Sequence, residues 1–215
     1  MTRTSTLNYR GLWVTFEGGD GSGKSTQAEY ARQYLRGIGR DVIRTREPGG
    51  TELGVKIREL VLHGKADINP YAEALLFAAD RAQHIRSYVE PALAAGTDVI
   101  QDRYLDSSVA YQGAGRSLDA EEVRRLSMWA TGDALPDITI LLDLDPAIAA
   151  TRVNNRGEAD RLEGEADTFR QRLRDGFLEQ AAREPGRFVI IDARLTAVEV
   201  AARVRSAITE RILTR

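Results

Sequence analysis

The chain has 215 residues, 42% hydrophobic and 29% charged, which fits one globular domain able to bury a full core. Its 30 basic residues nearly balance 32 acidic ones, so no overall field marks a nucleic-acid or membrane partner, and any anion has to be held by a local cluster. The lack of cysteine excludes disulfides and thiolate metal sites, and His63 and His84 lie too far apart for a short metal-binding pair. Residues 1–11 do not read as a signal peptide, and no apolar run reaches the roughly 18 residues of a membrane span, so a cytoplasmic protein is expected.

In chain order, β-rich apolar runs fall at 12–17, 41–45, 98–101, 138–144 and 188–191, with longer helical patterns between them. That alternation predicts an α/β fold with a parallel sheet, in one domain spanning 1–215. Helix starts are marked by Asp119 with Glu122, by Asp145 followed by Pro146, and by Thr196 with Glu199. Residues 151–167 break the rhythm: Arg152, Arg156 and Arg161 alternate with acidic residues and two glycines, which reads as a mobile charged loop or as a plain solvated segment.

Directly after the first run stands Gly18-Gly19-Asp20-Gly21-Ser22-Gly23-Lys24-Ser25, which satisfies GxxxxGKS ahead of a helix-compatible stretch opened by Thr26. Glycines let successive backbone N–H groups turn toward one anion, and the helix start adds its positive end. The pattern predicts a phosphate cradle in which Lys24 reaches the β and γ oxygens of a nucleoside triphosphate and the Ser25 hydroxyl meets Mg2+. GTPases, motor ATPases and small-molecule kinases share the motif, so it names no reaction by itself. No NKxD guanine signature occurs, which weakens a GTPase reading, and the chain is short for an ATPase machine, so a small-molecule kinase is best supported.

Further motifs follow in order: Arg46-Glu47-Pro48-Gly49-Gly50-Thr51, Leu76-Phe77-Ala78-Ala79-Asp80-Arg81, Asp102-Arg103-Tyr104, Ser108 with Tyr111-Gln112-Gly113, and Arg156-Gly157 with Asp160-Arg161. In this order and spacing the chain resembles the bacterial thymidylate kinases. The resemblance implies a P-loop NTPase fold, a three-layer α/β/α arrangement of a five-stranded parallel sheet flanked by helices, with a mobile lid at about 151–167. It also implies ATP as donor, Mg2+, dTMP as acceptor, a homodimer, and no nucleic-acid or membrane partner.

By the same resemblance Phe77 stacks on thymine, and Arg81, one helical turn later, donates to a base carbonyl that cytosine lacks. Ser108 and Gln112 hydrogen-bond the base, Tyr111 presses on the deoxyribose, Arg58 is a further acceptor contact and Asp20 approaches the 3′-hydroxyl. Arg103 clamps the phosphates; Asp102 positions Mg2+ through water or holds Arg103, and Glu47 lies near the acceptor phosphate and metal. Some family members carry arginine beside the loop acid, where this chain has Gly21. The missing cation is therefore assigned to Arg156, with Arg152 and Arg161 in support. On the residues alone Phe77 also reads as a core aromatic, Arg81 as half of a surface ion pair, and Tyr111 as helix packing. The expected reaction is dTMP to dTDP by in-line transfer; the alternatives are a kinase for another nucleoside monophosphate or deoxynucleoside, or a non-catalytic nucleotide-binding protein.

Overall fold

A computed structural model describes residues 10–64, 67–115, 118–154 and 167–215. Five strands, β1 (Trp13–Glu17), β2 (Val42–Arg46), β3 (Asp98–Asp102), β4 (Ile138–Asp143) and β5 (Phe188–Asp192), form one parallel sheet in the order β2-β3-β1-β4-β5. They match the five runs in the sequence to within a residue or so at each end. All of β1 is buried, and its side chains part alternately into two cores, as a strand covered on both faces requires. Val14 and Phe16 pack with Ala28, Ala31 and Leu35 of α1 (Lys24–Gly37) and with Val200, Val204 and Ile208 of α9 (Ala197–Thr214). Trp13 faces the other way, against Ile85, Val89, Leu93 and Tyr104. Burying side chains of this size contributes roughly 1.5–3 kcal/mol each.

The second layer contains α2 (Glu52–Arg58), α3 (Pro70–His84), α4 (Glu90–Ala95), α5 (Leu105–Ser108), α6 (Ala120–Thr131) and α8 (Asp167–Arg183). Three of these helices run on through wider π-type turns, at Glu59–His63, Ile85–Val89 and Val109–Gly115. The last of these packs against α8 and α6. The remaining helix, α7 (Pro146–Asn154), continues through Thr151 and Arg152, which the sequence suggested as loop. Arg156, Arg161 and most of the expected lid lie outside the described residues.

The predicted caps are present. Asp119 accepts from Glu122 N–H at 2.9 Å, Asp145 from Ala147 N–H at 2.9 Å, and Thr196 with Glu199 forms a reciprocal capping box. The two tryptophans are opposites. Trp13 is fully buried, its Nε1–H donating to Gln101 at 3.1 Å and its ring edge-on to Tyr104, whereas Trp129 on α6 is 82% exposed. Among the described residues no helix is long and apolar enough to cross a membrane.

Register decides where the strand ends meet. Phe16 of β1 and Arg46 of β2 both stand opposite Asp102 of β3. The pairing carries on past the sheet, with Arg103 N–H donating to the Phe16 carbonyl at 3.0 Å and Glu47 N–H to the Asp102 carbonyl at 2.9 Å. β2 and β3 lie to one side of β1, and β4 and β5 to the other, so β1 is the switch point beside which open α/β sheets bind ligands.

Candidate active site

Three loops leave the sheet at that point. Gly18, Gly21 and Gly23 take φ of 132, 81 and 93°, which a side chain would resist, and at Gly21 a Cβ would sit 2.8 Å from the Ala149 carbonyl of α7. The absence of a side chain at Gly21 is therefore also a packing requirement. Gly23 caps α1, whose first residues are Lys24 and Ser25, so the helix's positive end opens into the cleft. Lys24 Nζ donates to the Gly18 and Gly19 carbonyls at 2.9 and 2.8 Å. Burial first, and then the Arg103 charge, lowers its ammonium to about 8.

Arg103 is the hub. It follows β3 with φ of 67°, a left-handed conformation costly for a side-chain-bearing residue. Its guanidinium donates to the Gly18 carbonyl at 3.3 Å, Ser107 Oγ at 3.1 Å, Tyr111 Oη at 3.1 Å and the Asp20 carboxylate. Tyr111 Oη in turn donates to Asp20 at 2.7 Å, and the Arg103 guanidinium stacks over the Tyr111 ring at 5.0 Å. Burial would raise the Asp20 carboxyl, but the Arg103 and Lys24 charges outweigh it and hold it at about 2. Beside them Ser25 Oγ donates to Asp102 Oδ2 at 2.6 Å. A hydroxyl and a carboxylate converging on the cleft are oxygen donors suited to a small divalent cation.

The cleft, of about 450 Å3, is lined on one side by Gly21, Gly23, Lys24, Ser25 and Thr26, and on the other by Arg58, Phe77, Arg81, Ser108, Tyr111 and Gln112, with Asp20, Glu47, Asp102 and Arg103 between. The structure thus brings together the described residues expected for both substrates except Gly18, Gly19 and Ser22, which do not line this cleft. Phe77 combines both readings of it, packing with Ile57, Val61 and Tyr111 while it lines the cleft. Arg81 is no surface ion pair. It is 2% exposed and held by Glu47 (2.9 Å), Ser127 (3.0 Å), Ser108 Oγ (3.0 Å) and the Tyr104 carbonyl (3.4 Å). Glu47 is spoken for by three donors, since His84 and Gln101 meet its other oxygen at 2.9 and 3.1 Å. Arg58 donates to the Pro48 carbonyl at 3.1 Å, and Arg152 to the Gly21 and Ala193 carbonyls at 3.5 and 3.1 Å.

Sequence reasoning missed the groups that set these side chains in place. Glu17, fully buried at the end of β1, accepts from Tyr104 N–H at 2.7 Å and Ser107 Oγ–H at 2.6 Å, so it grips both the backbone after Arg103 and a hydroxyl that Arg103 touches. Burial, then the nearby Asp106 charge, pushes its carboxyl up to about 8. Glu73, 1% exposed, accepts from Gln112 Nε2 at 2.9 Å. The signal for Glu17 was an acid closing an apolar strand; for Glu73 it was the helical spacing 73, 77, 81 along one face of α3.

Comparison with known proteins gives one answer. The family model for thymidylate kinase matches residues 16–204. Thymidylate kinases of Leifsonia xyli and Bifidobacterium longum are 57% and 55% identical, covering 95% and 93% of this chain and 98% of their own. The crystal structure of thymidylate kinase from Ehrlichia chaffeensis superposes with a TM-score of 0.75 at 33% identity, over 92% of this chain and 98% of that one. Given a family match along nearly the whole sequence and relatives alike from end to end, the chain belongs to the thymidylate kinase family.

Proposed function

We propose that the protein transfers the γ-phosphoryl group of ATP to dTMP, giving ADP and dTDP. The observation that carries this is one cleft in which a phosphate loop faces a base-and-sugar set across Arg103. An acceptor phosphate oxygen attacks the γ-phosphorus as the bond to the β,γ-bridging oxygen breaks. A phosphate monoester is already a nucleophile, so no general base is needed. Lys24 and Arg103 neutralise charge on the phosphates, while Asp20 and Tyr111 hold the Arg103 fork at the acceptor side. Ser25 and Asp102 are the residues that would hold Mg2+, which supplies further charge neutralisation when bound. Glu47 is assigned to orienting Arg81.

Phe77 stacks on the base, Arg81 donates to its C4 carbonyl, Ser108 and Gln112 complete its edge, and Tyr111 restricts the sugar. Arg58 adds an acceptor contact. On sequence grounds Arg156 is assigned the remaining catalytic cation, and Arg156→Ala is expected to lower turnover by orders of magnitude with little change in ATP affinity; unchanged turnover would overturn that assignment. Homodimerisation is supported by α2 and α3, which pack together yet leave Leu53, Val55, Tyr71 and Leu75 exposed, as is Leu60 in the wide turn that follows α2. Coupled assays of ADP release with dTMP, dUMP, dCMP and thymidine test the whole reading. Release should depend on acceptor and rank dTMP first; a preference for dCMP or thymidine would refute it.

A further inference from the structure

The recognition edge of the cleft contains an amide whose orientation is fixed from behind. Gln112 lines the cleft and is itself 1% exposed, and its Nε2 donates to Glu73 Oε1 at 2.9 Å. A carboxylate offers only acceptors, so the amide has to turn its NH2 toward Glu73. Its carbonyl oxygen then faces the other way. Among the described residues that oxygen meets no donor, yet it is not among the side-chain atoms sealed from solvent without a partner. It stands open to the cleft as an acceptor.

On the same side of the cleft Arg81 offers only donors, pinned by Glu47, Ser108 and Ser127. A donor and an acceptor set side by side match adjacent C4 carbonyl and N3–H groups of a pyrimidinedione. Cytosine presents the reverse pair, an amino group and a bare N3. We infer that Glu73 is a specificity-positioning residue, holding the Gln112 amide so that Oε1 accepts the N3–H of thymine or uracil and rejects cytosine. Glu73 does not itself line the cleft, so it acts through Gln112. The inference rests on the proposed reading of the cleft as a pyrimidine nucleotide site.

The spacing supports it. Glu73, Phe77 and Arg81 recur every four residues on α3, so one helix face would supply the orienting acid, the stacking ring and the C4 donor together. Replacing the acid by an amide lets that position donate to Gln112 Oε1 instead, which frees Gln112 to turn its NH2 toward the base.

The test is steady-state kinetics with dTMP, dUMP and dCMP on the full chain and on E73Q, E73A and the exchange variant E73Q/Q112E. In E73Q, kcat/KM for dTMP and dUMP should fall about tenfold to a hundredfold, mostly through the acceptor KM, with the ATP KM unchanged. The value for dCMP should fall much less, so the dTMP-to-dCMP ratio narrows at least about tenfold. E73A should narrow it in the same direction. In E73Q/Q112E a carboxylate replaces the amide facing the base and again offers an acceptor, so the dTMP preference should recover relative to E73Q. Equal loss for all three acceptors, or a ratio unchanged in both single variants, would overturn the inference and leave Glu73 a purely structural acid. A native protein that prefers dCMP would instead refute the proposed function, an outcome visible before any variant is made.

Discussion

Arg103 concentrates the site's demands in one residue: a left-handed backbone, a fork aimed at four oxygens, and a ring beneath it. Arg103→Lys isolates the fork, because lysine carries the same backbone cost and the same charge. A single ammonium cannot span Gly18, Asp20, Ser107 and Tyr111 together, so kcat/KM for dTMP should fall by about two to three orders of magnitude while the folded secondary structure persists, as steady-state kinetics and circular dichroism would show. Arg103 was legible through the Asp102-Arg103-Tyr104 motif that directly follows the apolar run at 98–101. Arg81 was legible only as a site residue, since nothing in the sequence said that Glu47, Ser127 and Ser108, distant along the chain, would bury it. Glu17 and Glu73 carried positional signals, yet their roles were not legible for the same reason: an acid reads as solvent-facing until the tertiary partners that bury it are known.

At the scale of elements, local chemistry explains most of what the sequence reveals. The strands announce themselves as short apolar runs, and the capping residues sit where their side chains satisfy the first N–H groups of a helix. The capping box at α9 shows this at its simplest: Thr196 Oγ1 accepts from Glu199 N–H at 3.3 Å while the Glu199 carboxylate accepts from Thr196 N–H at 2.9 Å. α9 covers one face of the sheet, so Thr196→Ala should cost about 1 kcal/mol, visible as a drop of roughly 2–4 °C in unfolding temperature with catalysis intact. The wide turns at Ile85–Val89 and Val109–Gly115 were not legible, because a helical hydrophobic period looks the same whether one turn widens or not. The second of them carries Tyr111 and Gln112, so the orientation of both toward the cleft had to come from the structure.

Over the whole molecule, buried charge ties stability to pH. Glu17 titrates near 8 when folded against an ordinary 4.5, and Asp80, raised by burial and then by the Glu47 charge, near 6 against 3.8. Between each pair of values the folded protein keeps a proton that the unfolded chain has released, so stability falls as pH rises through that window. Asp20, held at about 2, works the other way, and its contribution is lost as pH drops below 3.8 toward 2. From about pH 6 to 8 only Glu17 of these three still titrates, so calorimetry should record a falling unfolding temperature over that range, and Glu17→Gln should flatten the slope. A slope unchanged in that variant would assign the effect elsewhere. Trp13 offers a way to watch the site through all of this. Its indole N–H is bonded to Gln101, whose own amide donates to Glu47 and to the Arg103 carbonyl, while the only other tryptophan lies on the surface. In Trp129→Phe the remaining emission would come from one shielded indole two bonds removed from the cleft. Its wavelength and lifetime would then report nucleotide engagement without any label, whereas in the native chain the water-exposed Trp129 supplies the component that iodide quenches.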